Sequence, residues 1–258
     1  MHSHWQQQGT KPLFPDLLWS RPENKFQAGK LLIIGGTGQG FSGAAEAYAA
    51  AEKAGIGTVR VMLPSSLHKT VSKLFPSAEF APSTPSGSFG MSALAELLDA
   101  ANWADGVLIA GDTGHNSETT QLLEEFLMKY RAQLTLCGDT IATLAPQQAR
   151  LLDRSHTTLV LTMAELQKLA GAAHHAVAFT STMGLVQLVE ALHDFNKLHA
   201  AHVLVSHDQT AAVAVDGRIS TTHIAEQSTT QLAASAATWW LQTPAKAYEA
   251  LTTSLISV

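Results

Sequence analysis

Two groups of residues in this chain have types and spacing that chemistry can use. One is a glycine-rich turn, Gly35-Gly36-Thr37-Gly38-Gln39-Gly40-Phe41-Ser42-Gly43-Ala44, set between an apolar run and an Ala/Glu-rich stretch. Backbone N–H groups at such a strand-to-helix turn can cradle an anion. The other group is Asp112, His115 and Asp139, each placed just past an apolar run. Open α/β sheets bind their ligands there, beyond the carboxyl ends of the strands. A carboxylate and an imidazole at that edge could act as base and acid, or Asp139 could hold a metal bound to phosphate. The competing reading is structural: the acids end strands or cap helices, and the glycines allow a tight turn and close helix packing.

Two nucleotide-binding motifs fail on inspection. Gly38-Gln39-Gly40-Phe41-Ser42-Gly43 fits G-x-G-x-x-G, but the dinucleotide fingerprint starts directly after its strand and needs an acid near the end of the second strand. Here the turn starts late and no acid follows Leu63. The Walker pattern fails because Ala44 and Ala45 stand where Lys and Ser/Thr are required. His156, His174, His175, His193, His199, His202 and His223 lack metal-ligand spacing with Cys or carboxylate partners and read as structural or exposed. Trp239-Trp240 reads as core or interface.

The elements that position these groups alternate in type. Leu31-Leu32-Ile33-Ile34 is a short apolar run ending in glycine, as a strand buried on both faces reads. A helix is predicted from about Gly43 to Ala54, then a strand at Thr58–Leu63. Strand and helix alternate again at Val107–Ile109 and Thr119–Tyr130, at Leu134–Leu136 and a short helical stretch, and at Thr158–Leu161 and Met163–Ala170. Such alternation implies parallel strands joined by right-handed crossovers, hence an α/β doubly wound sheet. The last third differs: His202–Val205, Ala211–Val215 and Arg218–Thr221 are separated only by turns, with the hairpin signal Asp216-Gly217. They predict an antiparallel edge, followed by helices at Thr229–Leu241 and Pro244–Leu255. Residues 1–29, punctuated by Pro12, Pro15 and Pro22, are expected to wrap the surface before the first strand, and Pro82–Ser88 to form a surface loop.

Composition narrows the partners. The 258 residues are expected to form one domain. With 46% hydrophobic and 14% charged residues, the sheet must be covered on both faces. A net charge of -5 and no dense Lys/Arg cluster argue against nucleic acid. The lone Cys137, the start Met1-His2-Ser3-His4-Trp5-Gln6 and the absence of a run of roughly twenty apolar residues predict a soluble cytoplasmic protein with no membrane partner.

The stretch Gly29-Lys30-Leu31-Leu32-Ile33-Ile34-Gly35-Gly36-Thr37, through Phe41-Ser42-Gly43-Ala44-Ala45, to Ala54-Gly55-Ile56-Gly57-Thr58-Val59 resembles the opening of the ATP- or ADP-dependent NAD(P)H-hydrate dehydratases. In that family the pattern is G-x-V-L-V-I-G-G-S, an aromatic, G-A-A, a helix, and A-G-A-G-x-V. The lead-in Leu18-Trp19-Ser20-Arg21-Pro22-Glu23-Asn24-Lys25 is similar too, and the resemblance runs in element order over roughly residues 15 to 256. It implies a ribokinase-like three-layer sandwich, a mostly parallel sheet with an antiparallel edge near the C-terminus, and a homo-oligomer. The implied chemistry is phosphorylation of the hydroxyl of hydrated NADH or NADPH by ATP or ADP, with Mg2+ a possible helper, followed by loss of phosphate.

Carried over residue by residue, the resemblance places Gly36, Thr37, Phe41 and Gly43 at the substrate, and the position of Asp112 and His115 beyond the strand ends puts them there too. Glu165, Ser228 and Thr229 fall at the nucleotide, and Asp139 and Thr230 at the reacting group. The family's G-S-G-D at the start of a late helix is matched by Gln227-Ser228-Thr229-Thr230, which lacks both glycines and the aspartate. D-A-D-A-L becomes Cys137-Gly138-Asp139-Thr140-Ile141, and T-P-H-x-G-E becomes Thr162-Met163-Ala164-Glu165. The family's K-G is replaced near Ser206-His207-Asp208, and its G-P-G-L-G near Ala110-Gly111-Asp112-Thr113-Gly114. Threonine is a very poor base at neutral pH, so the sequence holds open two outcomes: an enzyme with a displaced base, dehydratase or small-molecule kinase, and a non-catalytic binding or assembly protein.

Overall fold

A computed structural model describes residues 3–144 and 147–256 of the chain. Met1 and His2, part of the expected N-terminal wrap, lie outside them. Among the described residues the sheet has ten strands: β1 (Trp5–Gln8), β2 (Lys30–Ile34), β3 (Thr58–Pro64), β4 (Ala78–Ala81), β5 (Gly106–Ile109), β6 (Gln133–Cys137), β7 (Thr157–Thr162), β8 (His202–His207), β9 (Thr210–Val215) and β10 (Arg218–His223). Their order across the sheet is β1-β10-β9-β8-β7-β6-β5-β2-β3-β4. From β8 to β4 every pairing is parallel, while β8, β9 and β10 pair antiparallel. The mostly parallel sheet with a late antiparallel edge is the arrangement expected from the alternation.

The helices are α1 (Pro15–Trp19), α2 (Ser42–Lys53), α3 (His68–Val71), α4 (Leu94–Trp103), α5 (Ser117–Lys129), α6 (Asp139–Thr143), α7 (Gln148–Leu152), α8 (Met163–Ala172), α9 (Leu185–Leu198), α10 (Thr229–Gln242) and α11 (Ala247–Ser254). Strand β2 shows why the sheet is sandwiched. Leu31 and Ile33 join one core with α2, α10 and α11, whereas Leu32 and Ile34 join a second core with α4, α5, α8 and α9. Successive side chains of a strand point to opposite faces, so an unbroken apolar run requires helices on both. Trp239 and Trp240 sit inside the first of these cores.

Three features depart from the sequence reading. Residues 5–8 do not merely wrap: Trp5 pairs with Ile219 and Gln8 with Thr222, adding β1 in parallel to the edge of β10. The side chain of Gln8 replaces lost water contacts by donating to the Thr252 carbonyl at 2.8 Å and to Thr222 Oγ1 at 3.1 Å. Strand β4 and helices α3, α4 and α9 form in regions where no element was expected. The loop of residues 82–90 is not free-standing: Gly38 N–H donates to the Gly87 carbonyl at 2.9 Å, tying it to the glycine-rich turn. Among the described residues no helix is long and apolar enough to cross a membrane.

Candidate functional site

Ile34 and Ile109 are paired at the carboxyl ends of β2 and β5, so the two chains leave the sheet side by side. Glycines let them touch. A Cβ on Gly35 would lie 2.1 Å from the Ala110 carbonyl oxygen, and one on Gly43 would lie 2.7 Å from the Gly111 Cα. Gly36, at φ +92°, donates its N–H to the Asp112 carbonyl at 2.9 Å. Gly36 and Gly43 thus spend their freedom on chain-to-chain packing. Phe41 turns to Phe75, with ring centroids 6.2 Å apart.

What opens between these chains is a cleft of about 260 Å³, with Thr37, Asp112 and His115 in its wall. The ligating atoms of Asp112, His115 and Asp139 all lie within 4.8 Å of one another, and the three residues are exposed. One Asp112 oxygen accepts the Gly114 N–H at 2.7 Å, and the other is 3.5 Å from Thr37 Oγ1. That second oxygen is the less occupied one. Gly138, at φ +68°, is the turn that starts α6 with Asp139. Two carboxylates and an imidazole suit a divalent cation that also holds phosphate oxygens; Asp112 and Asp139 supply the oxygen ligands Mg2+ prefers.

The cleft also recruits residues that sequence reasoning passed over. Gln39, Asn116, Ser86 and Ser88 line it. Asn116 caps α5, accepting the Thr119 N–H at 2.8 Å, and its side-chain amide nitrogen remains available. Ser88 sits over Gly114, where a Cβ would come within 2.0 Å of its hydroxyl. The signal for the two serines is the glycine pair: a Cβ on Gly87 would fall 2.8 Å from the Gly38 Cα, a contact that only small residues permit.

The remaining expected site residues lie elsewhere in hydrogen-bonding terms. Ser228 caps α10 by accepting the Gln231 N–H at 3.1 Å, and Gln231 Oε1 accepts the Ser228 N–H at 3.3 Å. This is a closed capping box, which consumes N–H groups an anion would otherwise use. Thr229 opens that helix, and Thr230 is buried beside the thiol of Cys137. Burial, above all, pushes that thiol up to about 12, so it stays protonated at neutral pH. Glu165 closes a second box, accepting Thr162 N–H at 2.7 Å and Thr162 Oγ–H at 2.8 Å. Thr230, Ser228, Thr229 and Glu165 are therefore not brought to the cleft wall that holds Thr37, Asp112 and His115.

Comparison with solved structures places this arrangement. A ribokinase-like superfamily protein from Enterococcus faecalis V583 superposes with a TM-score of 0.73 at 16% identity, over 99% of this chain and 86% of that one. The fold is ribokinase-like. A match of similar quality is a hypothetical protein from Streptococcus mutans, with a TM-score of 0.72 at 16% identity over 93% of this chain and 85% of that one. The ADP/ATP-dependent NAD(P)H-hydrate dehydratase from Bacillus subtilis, co-crystallised with ATP and Mg2+, matches with a TM-score of 0.64 at 12% identity, over 95% of this chain and 86% of that chain. In sequence, the chain is 30% identical over 153 residues to the bifunctional NAD(P)H-hydrate repair enzyme Nnr of Salinibacter ruber. That alignment spans 57% of this chain and 28% of the relative's length. No protein-family model matches the sequence.

Proposed function

We propose that this protein is a ribokinase-like binding protein for a small nucleotide-derived ligand, hydrated NADH or NADPH, ATP or ADP, and that it has given up the phosphoryl transfer of the dehydratases it resembles. One observation carries the reading. The residues at the place of the G-S-G-D motif form the closed Ser228–Gln231 capping box with Thr230 buried, while Thr37, Asp112 and His115 still converge on an open cleft. Phosphoryl transfer needs a base for the attacking hydroxyl and donors for the transferring group at one point. Ser228 and Thr230 supply neither, because one is committed to its own helix and the other is a buried alcohol.

The test is in two steps. A ligand that binds only the folded protein raises its melting temperature by mass action, so at millimolar concentration at least one of NADH hydrate, ATP and ADP should stabilise the full chain. NADH hydrate incubated with the protein and ATP or ADP should then return to NADH no faster than without protein.

A second reading is favoured by the grouping of Asp112, His115 and Asp139 within 4.8 Å: an enzyme, dehydratase or small-molecule kinase, in which these three groups together take over the work of the lost aspartate. Bound there, Mg2+ would screen phosphate charge; Asp112 and Asp139 would hold it, and His115 would stand ready to accept a proton. Protein-dependent turnover that disappears in Asp139→Asn would establish this reading and end the first.

A further inference from the structure

At the other end of the sheet from the cleft, a pocket of about 420 Å³ opens between α5 and α7. Arg131 precedes β6 and Arg154 precedes β7, so both stand at the amino ends of parallel strands, whereas Asp112 and Asp139 follow carboxyl ends. The five residues of β6, at about 3.3 Å each, separate the two places. A ligand here is independent of the function proposed for the cleft.

Three guanidinium groups, those of Arg131, Arg150 and Arg154, line this pocket. Arg154 is half-buried and already employed. It donates to the Leu127, Tyr130 and Ala132 carbonyls at the end of α5, at 3.2, 2.7 and 3.4 Å, and to Thr157 Oγ1 at 2.9 Å. Among the described residues those bonds leave one N–H of its guanidinium free. Arg131 and Arg150 are exposed, and their side chains bond to no described residue. None of the three forms an ion pair among the described residues, although Glu124 and Asp153 line the same pocket. Burial lowers the Arg154 pKa and the charge of Arg131 lowers it further, so the two cations feel each other with no anion between them. Closing a helix end accounts for Arg154. It does not account for Arg131 and Arg150, held unpaired beside it.

The rest of the wall sets the kind of anion. Leu127 is buried and Met128 is 37% exposed, and together they offer an apolar surface whose thioether adapts to flat or flexible groups. Three guanidinium groups against the two carboxylates of Glu124 and Asp153 leave the wall one positive charge in excess, which a single negative charge balances. A dianion such as a phosphate monoester would add uncompensated charge beside those two acids. A carboxylate also accepts the two parallel N–H bonds that a guanidinium offers. The volume falls within the roughly 300–1,000 Å³ of pockets for drug-sized ligands.

We infer that the pocket between α5 and α7 binds a small amphiphilic monocarboxylate, with Arg131 and Arg150 pairing its carboxylate and Leu127 and Met128 covering its apolar body. Aromatic and acyl carboxylates share this chemistry.

The experiment titrates the full chain, carrying isotope-labelled methionine methyls, with naphthoate, octanoate, acetate, the uncharged naphthamide, phenyl phosphate and a tetraglutamate peptide. Calorimetry gives the affinity and NMR of the methyls the place. Naphthoate or octanoate should bind and shift the Met128 methyl, while the core methyls of Met62 and Met163 stay still. Naphthoate alone identifies an aromatic acid, octanoate alone an acyl acid. Acetate, which lacks the body, and naphthamide, which lacks the charge, should bind at least about tenfold more weakly. Arg131→Gln and Arg150→Gln should each weaken binding at least about fivefold with the melting temperature unchanged, and Arg150→Lys, which keeps the charge but not the fork, at least about threefold. Lys129→Gln removes a neighbouring cation outside the wall and should change binding by less than about twofold. No binding of either carboxylate at about 10 mM overturns the inference. So does tighter binding of phenyl phosphate or tetraglutamate, an unmoved Met128 methyl, or a loss in Lys129→Gln equal to that in the arginine variants.

Discussion

The cleft beside β2 and β5 and the amino end of α10 lie at the same edge of one sheet, yet they treat polar groups in opposite ways. At the cleft, Asp112 and Ser88 retain bonding capacity that the protein does not use. At α10, Ser228 and Gln231 satisfy each other, Thr230 is buried, and the far end of the helix is closed as well, with Trp240 packed edge-on to His202 at 4.8 Å. A site for a ligand is a place where folding leaves hydrogen bonds unmade. A helix end that completes its own bonds serves stability instead.

That contrast can be attacked at its glycines first, where the effects are largest. Gly35→Ala drives a Cβ to 2.1 Å from the Ala110 carbonyl oxygen and should cost about 3 kcal/mol or more in urea unfolding. Gly40 has nothing within 4 Å of its would-be Cβ, so Gly40→Ala should change stability by less than about 0.5 kcal/mol. Equal effects at the two positions would mean that the turn is not held by backbone packing.

The closed end of α10 gives a pH signature of nearly the same size. Burial lowers the His202 pKa to about 4, against the opposing pull of Asp216. Its Nδ1 has no partner among the described residues. The unfolded chain therefore binds the proton more readily, with a pKa of about 6.5. Stability from this residue is full above about pH 6.5, falls as pH drops towards 4, and is flat below. The total is on the order of 3 kcal/mol. Unfolding midpoints between pH 7 and pH 4 should show this slope, and His202→Leu should reduce it.

Restoring the lost acid sharpens the comparison at lower amplitude. Thr230→Asp places a carboxyl in a buried position beside Cys137 and should destabilise by about 2 kcal/mol, without creating turnover of NADH hydrate. Turnover in that variant would show that α10 is a dormant catalytic end rather than a structural one. Smallest is Ser228→Ala, which removes a cap and should cost about 1 kcal/mol while leaving ligand-induced stabilisation intact.

Legibility in the sequence follows how local each signal is. Strands β2, β5 and β7 could be read because both faces are buried and their apolar runs are continuous. Strand β1 could not, since Trp-Gln-Gln-Gln is polar and its Gln8 is buried only through bonds to Thr222 and Thr252. That Asp112, His115 and Asp139 would lie close together followed from the rule that ligands gather at carboxyl ends of parallel strands, and Thr37 came in with the glycine-rich turn. Ser86 and Ser88 were not, because a loop from between β4 and α4 reaches the cleft through the Gly38–Gly87 contact. Thr162-Met163-Ala164-Glu165 has the spacing of a capping box, and the box is what formed; the family resemblance had drawn Glu165 towards the nucleotide.

The placement of β1 sets the order in which the fold can be finished. Gln8 bonds to Thr222, 214 residues away in the chain, so β1 is translated long before its partner strand exists. Pairings of such separation are slow to close. During synthesis the residues of β1 must wait without a strand to pair with, and the edge of β10 stands open until they arrive. Two strands far apart in the chain therefore meet at this edge, and a ribosome stalled before residue 219 would leave the nascent protein without the seam between β1 and β10.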